Sequence, residues 1–133
     1  MADRTFRCKL ITPEARVIDA EVTYARLPLW DGKTGVMSRT SAFVGKLGYG
    51  ELTLEFPQGS PKRWFIDGGF VQNVNDVTTI LANGATPADE LDLSEAKAEL
   101  AEANARKTQD PQEMERINEN RVRARAKVAV AGK

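Results

Sequence analysis

At 133 residues the chain has room for one ordinary domain and an appendage, which excludes two large domains. Its 19 Lys and Arg balance 19 Asp and Glu, so no net field draws it toward nucleic acid or anionic lipid, and a partner must be recognised by shape and local charge. Histidine is absent and Cys8 is the single cysteine, which excludes disulfide frameworks, the usual Cys/His zinc sites and every histidine acid–base scheme, and predicts a buried thiol.

The N-terminus enters a strand pattern without an apolar signal core, and nowhere do the roughly 18 apolar residues of a membrane span run together, so a cytosolic or stromal chain is expected. Phe6, Cys8 and Leu10 alternate with Arg7 and Lys9. Ile18, Ala20, Val22 and Tyr24 alternate with Asp19, Glu21 and Thr23, and Leu52, Leu54 and Phe56 with Glu51, Thr53 and Glu55. Period two predicts half-buried strands. Further strand-like runs are 64–67, 70–74 and 77–82. They are punctuated by Asp31-Gly32, Pro57-Gln58-Gly59, Gly68-Gly69, Asn75-Asp76 and Asn83-Gly84, all read as turns. Many short strands with regular turns predict an antiparallel β-sandwich over residues 1–88, with Phe43, Trp64, Phe65 and Phe70 in its core.

From Leu91 the period changes. Leu93, Ala96, Leu100 and Ala103 recur at helical spacing with Glu95, Glu99 and Glu102 opposite, and Asp110-Pro111-Gln112-Glu113 reads as a second helix start with Asp110 as N-cap. On that second helix Met114, Ile117, Ala124 and Val128 form a stripe that Arg121 and Arg125 interrupt, and arginine in a seam invites an acidic partner. Glu102 with Arg106 and Glu119 with Arg123 are i,i+4 pairs in the favourable order. Residues 89–133 are therefore predicted to be an antiparallel two-helix hairpin whose alanine-rich seam docks weakly, by on the order of a few kcal/mol.

Catalytic motifs fail one by one. Gly32-Lys33-Thr34 ends like a phosphate loop, but Leu27 stands where that loop needs its first glycine. The stretch 45–50 is glycine-rich without dinucleotide spacing and is read as turn glycines. Glu99 and Glu102 lie on a solvated face with nothing to separate their pKa values, and Arg121, Arg123, Arg125 and Lys127 point to different faces without interleaved aromatics, so no nucleic acid is expected.

The order of pieces, and Leu10-Ile11-Thr12-Pro13-Glu14, the stretch 31–37, Gly68-Gly69-Phe70-Val71 and the run 77–82, resemble the epsilon subunit of the rotary F-type ATP synthase over almost the whole chain. That resemblance implies a non-catalytic rotor subunit without cofactor or metal, peripheral on the cytoplasmic face of a bacterial inner membrane, or the stromal face of a thylakoid. It implies that the sandwich binds the gamma subunit and the membrane ring of c subunits, with Asp31, Gly32, Lys33, Gly35, Met37, Arg39 and Thr40 as the binding stretch. It further implies that the helices move between docked and extended forms. In the extended form Arg116, Arg121, Arg123 and Arg125 would meet acidic surface on the catalytic alpha/beta head and restrain ATP hydrolysis.

Three departures stand out. The stretch 38–42 replaces the family's Pro-Gly-His-Ala-Pro, and Lys33 stands where glutamate is common. In the nucleotide motif at Leu91, Asp92, Glu95 and Ala96, Glu95 replaces the arginine, and a carboxylate repels phosphate. From the residues alone, a rival reading is a small ligand-binding sandwich with a coiled-coil oligomerisation tail, in which Leu93, Leu100, Ile117 and Val128 pair between chains.

Overall fold

A computed structural model describes residues 4–132. Eight strands come first: β1 (Phe6–Ile11), β2 (Arg16–Val22), β3 (Tyr24–Leu29), β4 (Gly32–Val36), β5 (Phe43–Glu55), β6 (Lys62–Val74), β7 (Val77–Ala82) and β8 (Ala85–Pro87). A single 3-10 turn (Ala88–Glu90) leads to helices α1 (Leu93–Ala105) and α2 (Pro111–Ala131). The strands hydrogen-bond in the order β2-β1-β7-β6-β5-β3-β4, with β8 on β6. All pairings are antiparallel except β1 with β7.

One sheet wraps both sides of the sandwich core because β5 and β6 change face midway. Toward one end the buried side chains are odd-numbered, Leu47 on β5 and Val71 on β6. Toward the other they are even-numbered, Leu52, Leu54, Trp64 and Ile66, yet all belong to a single core. The switch falls at Gly68 and Gly69, whose φ of 77° and 131° is backbone that other residues avoid. A Cβ at Gly69 would collide with the Leu81 carbonyl and sit 2.9 Å from Ala82 Cα.

These glycines are therefore a bend inside β6, not the turn expected of them, and the stretch 45–50 likewise lies within β5. The β6–β7 hairpin closes at Asn75 and Asp76, with φ of 51° and 59°, the left-handed pair of a tight type I′ turn. The bend also shifts the phase of β6, so Val71 points inward and Phe70, expected in the core, is 59% exposed. Phe43 packs against the core only in part. The expected run from Ile18 to Tyr24 breaks at Thr23, whose N–H and hydroxyl both donate to the Glu55 carbonyl, at 2.8 and 3.2 Å. Cys8 is fully buried, and desolvation, followed by the charge of Asp19, pushes its thiol up to about 12.

Asp92 caps α1 by accepting from Glu95 N–H at 3.2 Å, and Asp110 caps α2 by accepting from Gln112 N–H at 3.0 Å. Glu113 does not return to the Asp110 N–H. Thr108 stands between them, donating to Glu113 at 3.0 Å and accepting from Asp110 N–H at 3.2 Å. Ala96 and Ala103 of α1 and Ile117, Ala124 and Val130 of α2 are buried within the chain, while Met114, expected in the stripe, is 47% exposed. Helix α2 lies across β5 and β6. Of the residues that a coiled-coil tail would pair between chains, Ile117 is buried and Leu93, Leu100 and Val128 are half-buried within this one chain, which leaves little apolar seam for a second copy.

Candidate functional site

The stretch expected to bind partners runs along a sheet edge and into a pinned loop. Trp30 and Asp31 turn β3 into β4, one residue earlier than the turn expected at Asp31 and Gly32; β4 opens at Gly32 paired with Leu29, and Lys33 and Gly35 are exposed on it. Gly35 lies so close to the Tyr24 ring that a Cβ there would strike the hydroxyl. After β4, Arg39 adopts a φ of 70°, uncommon for a residue with a side chain. It is held there because Asp76 accepts from Arg39 N–H at 2.7 Å and from the Ser38 hydroxyl at 3.0 Å. Thr40 Oγ1 donates to the Met37 carbonyl at 2.7 Å and accepts from Met37 N–H at 3.0 Å, closing the loop on itself. Buried Asn73 donates to the carbonyls of Thr40 and Ser41, both at 3.2 Å, and accepts from Thr78 at 2.8 Å. These bonds hold the loop's shape without a partner and leave Met37 59% exposed at its start.

Beside this loop runs an apolar band that sequence reasoning missed. Leu81 pairs with Phe70, Phe70 pairs with Lys46, and Trp30 N–H donates to the Lys46 carbonyl at 2.8 Å, so one row crosses β7, β6, β5 and the end of β3. Lys46 places its ammonium 4.4 Å from the centre of the Trp30 ring. Trp30, Val44, Phe70 and Leu81 are each more than half exposed, with Lys46 set between Trp30 and Phe70, and exposed apolar side chains grouped in this way are a candidate interaction surface. Reading 45–50 as turn glycines hid the strand that puts Val44 and Lys46 on one face. Which face that is depended on the bend at Gly68.

The four arginines of α2 separate into different roles. Arg116 and Arg125 are exposed. With the helices docked, Arg121 donates to the carbonyls of Ala103 at 3.2 Å and Arg106 at 3.0 Å, closing the C-terminal end of α1 where orphan carbonyls favour a cation. Arg123 pairs with Asp67 on β6 at 2.8 Å, and this bond raises its pKa. The i,i+4 pair Glu102–Arg106 forms at 3.3 Å. Glu119 and Arg123 turn to the sheet instead, because α2 lies across β5 and β6 and each finds a partner there: Glu119 accepts from the Tyr49 hydroxyl at 2.6 Å. Burial and then this carboxylate push the Tyr49 phenol up to about 12. Arg63, itself paired with Glu51, donates to the Val130 carbonyl at 3.0 Å.

Leu91, Asp92, Glu95 and Ala96 border a hollow of about 170 Å³ shared with Thr86, Glu90, Glu99 and Lys127. Carboxylates dominate it, and Lys127 is engaged by Glu99 at 3.3 Å, so the donors a triphosphate needs are lacking there. Among the described residues no group of acidic or sulfur side chains is arranged to hold a metal, and no helix is long and apolar enough to cross a membrane.

A sandwich with a pinned loop and an apolar band, carrying a helical hairpin on its flank, is the build of a binding subunit within a larger assembly. Residues 5–88 match the β-sandwich domain of the ATP synthase delta/epsilon chain. The chain is 43% identical over 99 residues to the ATP synthase epsilon chain of Rhodopirellula baltica, covering 74% of this chain and 77% of that protein. It is 32% identical over 130 residues to the epsilon chain of Syntrophomonas wolfei, covering 98% and 90%. A chain of the Euglena gracilis mitochondrial ATP synthase, solved with OSCP, F1 and the c-ring, superposes with a TM-score of 0.74 at 26% identity, covering 96% of this chain and 76% of that one. The chain belongs to the epsilon subunits of the F-type ATP synthase.

Proposed function

We propose that this epsilon subunit sits at the foot of the central stalk, on the membrane face that carries the catalytic head, and couples rotation of the c-ring to that head without catalysing a step itself. Residues 1–88 would serve as the anchor and 89–133 as the regulatory element. The observation that carries the reading is the apolar band of Trp30, Val44, Phe70 and Leu81 beside a loop that Asp76 and Asn73 hold ready. A preformed surface binds a rigid partner without an added ordering cost. The gamma subunit would cover the band, and the stretch from Asp31 to Thr40 would meet gamma and the c-ring. The positive charge of Lys33 calls for an acidic counterpart there. The Euglena assembly supports this reading, since its related chain was solved together with F1 and the c-ring.

Phe70→Glu combined with Leu81→Lys alters two side chains that are already exposed and sets opposite charges across both ladders of β6, so the sandwich should fold while copurification with gamma and the c-ring is lost. Undiminished recovery of the complex would refute the band as the anchor. The helices would restrain hydrolysis through the exposed Arg116 and Arg125, joined by Arg121 and Arg123 once these leave their partners in the docked form. Truncation after Asp89 should raise ATP hydrolysis and leave assembly intact, and unchanged hydrolysis would reject the brake.

A further inference from the structure

Tyr49 and Asp67 face each other across the β5–β6 ladder, and Glu119 and Arg123 lie one turn apart on α2. Cross-strand partners and i,i+4 neighbours both stand about 5 Å apart, so the two pairs match in spacing. Tyr49 donates to Glu119 at 2.6 Å and Arg123 to Asp67 at 2.8 Å, which closes a four-residue square between sheet and helix. The apolar contacts around it are poor at specifying position, since Ala96, Ala103 and Ala124 present smooth surface and only Ile117 and Val130 add larger side chains to the buried set.

We propose that this square is the latch that holds the hairpin on the sandwich and sets the axial register of α2. Sliding α2 by one turn, about 5.4 Å, breaks it in either direction. One slip brings Glu119 against Asp67, two like charges. The other exchanges Arg123 for Lys127 at Asp67, takes Lys127 from Glu99, and puts Arg123 where Glu119 stood, so the Tyr49 hydroxyl loses its carboxylate acceptor. The side chains of Arg123 and Asp67 are 37% and 29% exposed. Salt therefore reaches the latch, and any acidic surface that takes Arg123 must compete with Asp67. The inference rests on contacts within this chain and stands whether or not the brake does.

The test is amide hydrogen exchange of the full chain, comparing peptides from α2 with peptides from β6 and β7. Asp67→Asn should speed exchange in α2 about tenfold while β6 and β7 stay protected, and raised salt should move the natural chain the same way. Glu119→Gln, which leaves the sandwich's own sequence untouched, should do likewise even if the Asp67 variant folds poorly. Exchanging the charges, Asp67→Lys with Arg123→Glu, should restore protection relative to either single change. Exchange in α2 that stays within about twofold of the natural chain in both Asp67→Asn and Glu119→Gln, or a charge exchange no better than its singles, would overturn the latch.

Discussion

Phe65→Ala should undock the two helices and leave the sandwich folded. Phe65 is 2% exposed, yet its strand neighbours Trp64 and Ile66 belong to the sandwich core and it does not. Its own face of β6 is that of Arg63, which reaches the Val130 carbonyl, and of Asp67, which holds Arg123. The ring therefore forms the apolar floor between those two contacts, beneath α2. Truncating a buried phenylalanine to alanine costs about 3–5 kcal/mol. The larger buried aliphatics of α2, Ile117 and Val130, contribute only about 1.5–3 kcal/mol each before the entropy of ordering is subtracted. The loss is thus comparable to the apolar part of what favours docking, and exceeds what the polar contacts of α2 with the sheet can restore. Limited trypsin digestion gives the readout: the arginines of α2 should be cut early, while a sandwich fragment persists with its thermal transition nearly unmoved. Persistence of an intact α2, or loss of the sandwich transition along with it, would refute the assignment of Phe65 to the docking face.

Gly69→Ala should lower sandwich stability in urea by about 3 kcal/mol, from strain at φ 131° plus the collision with the backbone of Leu81 and Ala82. A loss under about 1 kcal/mol would show that the bend does not need glycine. The Tyr49 latch also carries a pH signature. Its phenol is raised from 10.0 to about 12 in the docked form, which therefore holds the proton more tightly than the undocked form. The contribution is complete below pH 10.0 and is lost as pH climbs toward about 12. Absorbance titration of the phenols should show a late component that Tyr49→Phe removes. Asp76→Ala removes the acceptor for Arg39 N–H and Ser38, a change worth about 1–3 kcal/mol, and should loosen the loop from Met37 to Thr40 and weaken recovery of the complex with gamma.

Period and turn chemistry by themselves determined the class of fold. Strict alternation at Phe6, Cys8 and Leu10 placed β1, the change of period near Leu91 placed the helices, and the residue types at Asp110 and Pro111 located the start of α2. These are local signals, because a side chain's propensity and its periodicity act within a few residues. What faces what was decided only in three dimensions. The bend within β6 at Gly68 and Gly69 moved Phe70 from core to surface and so created the apolar band, and no one-dimensional pattern records that phase shift. The arginines of α2 were legible as a basic run, but their roles depended on the ends of other elements: the open carbonyls of α1 claimed Arg121, and a carboxylate on β6 claimed Arg123. A charge chooses the partner that lies within reach after folding, and reach between residues 56 positions apart in the chain is a property of the tertiary structure alone.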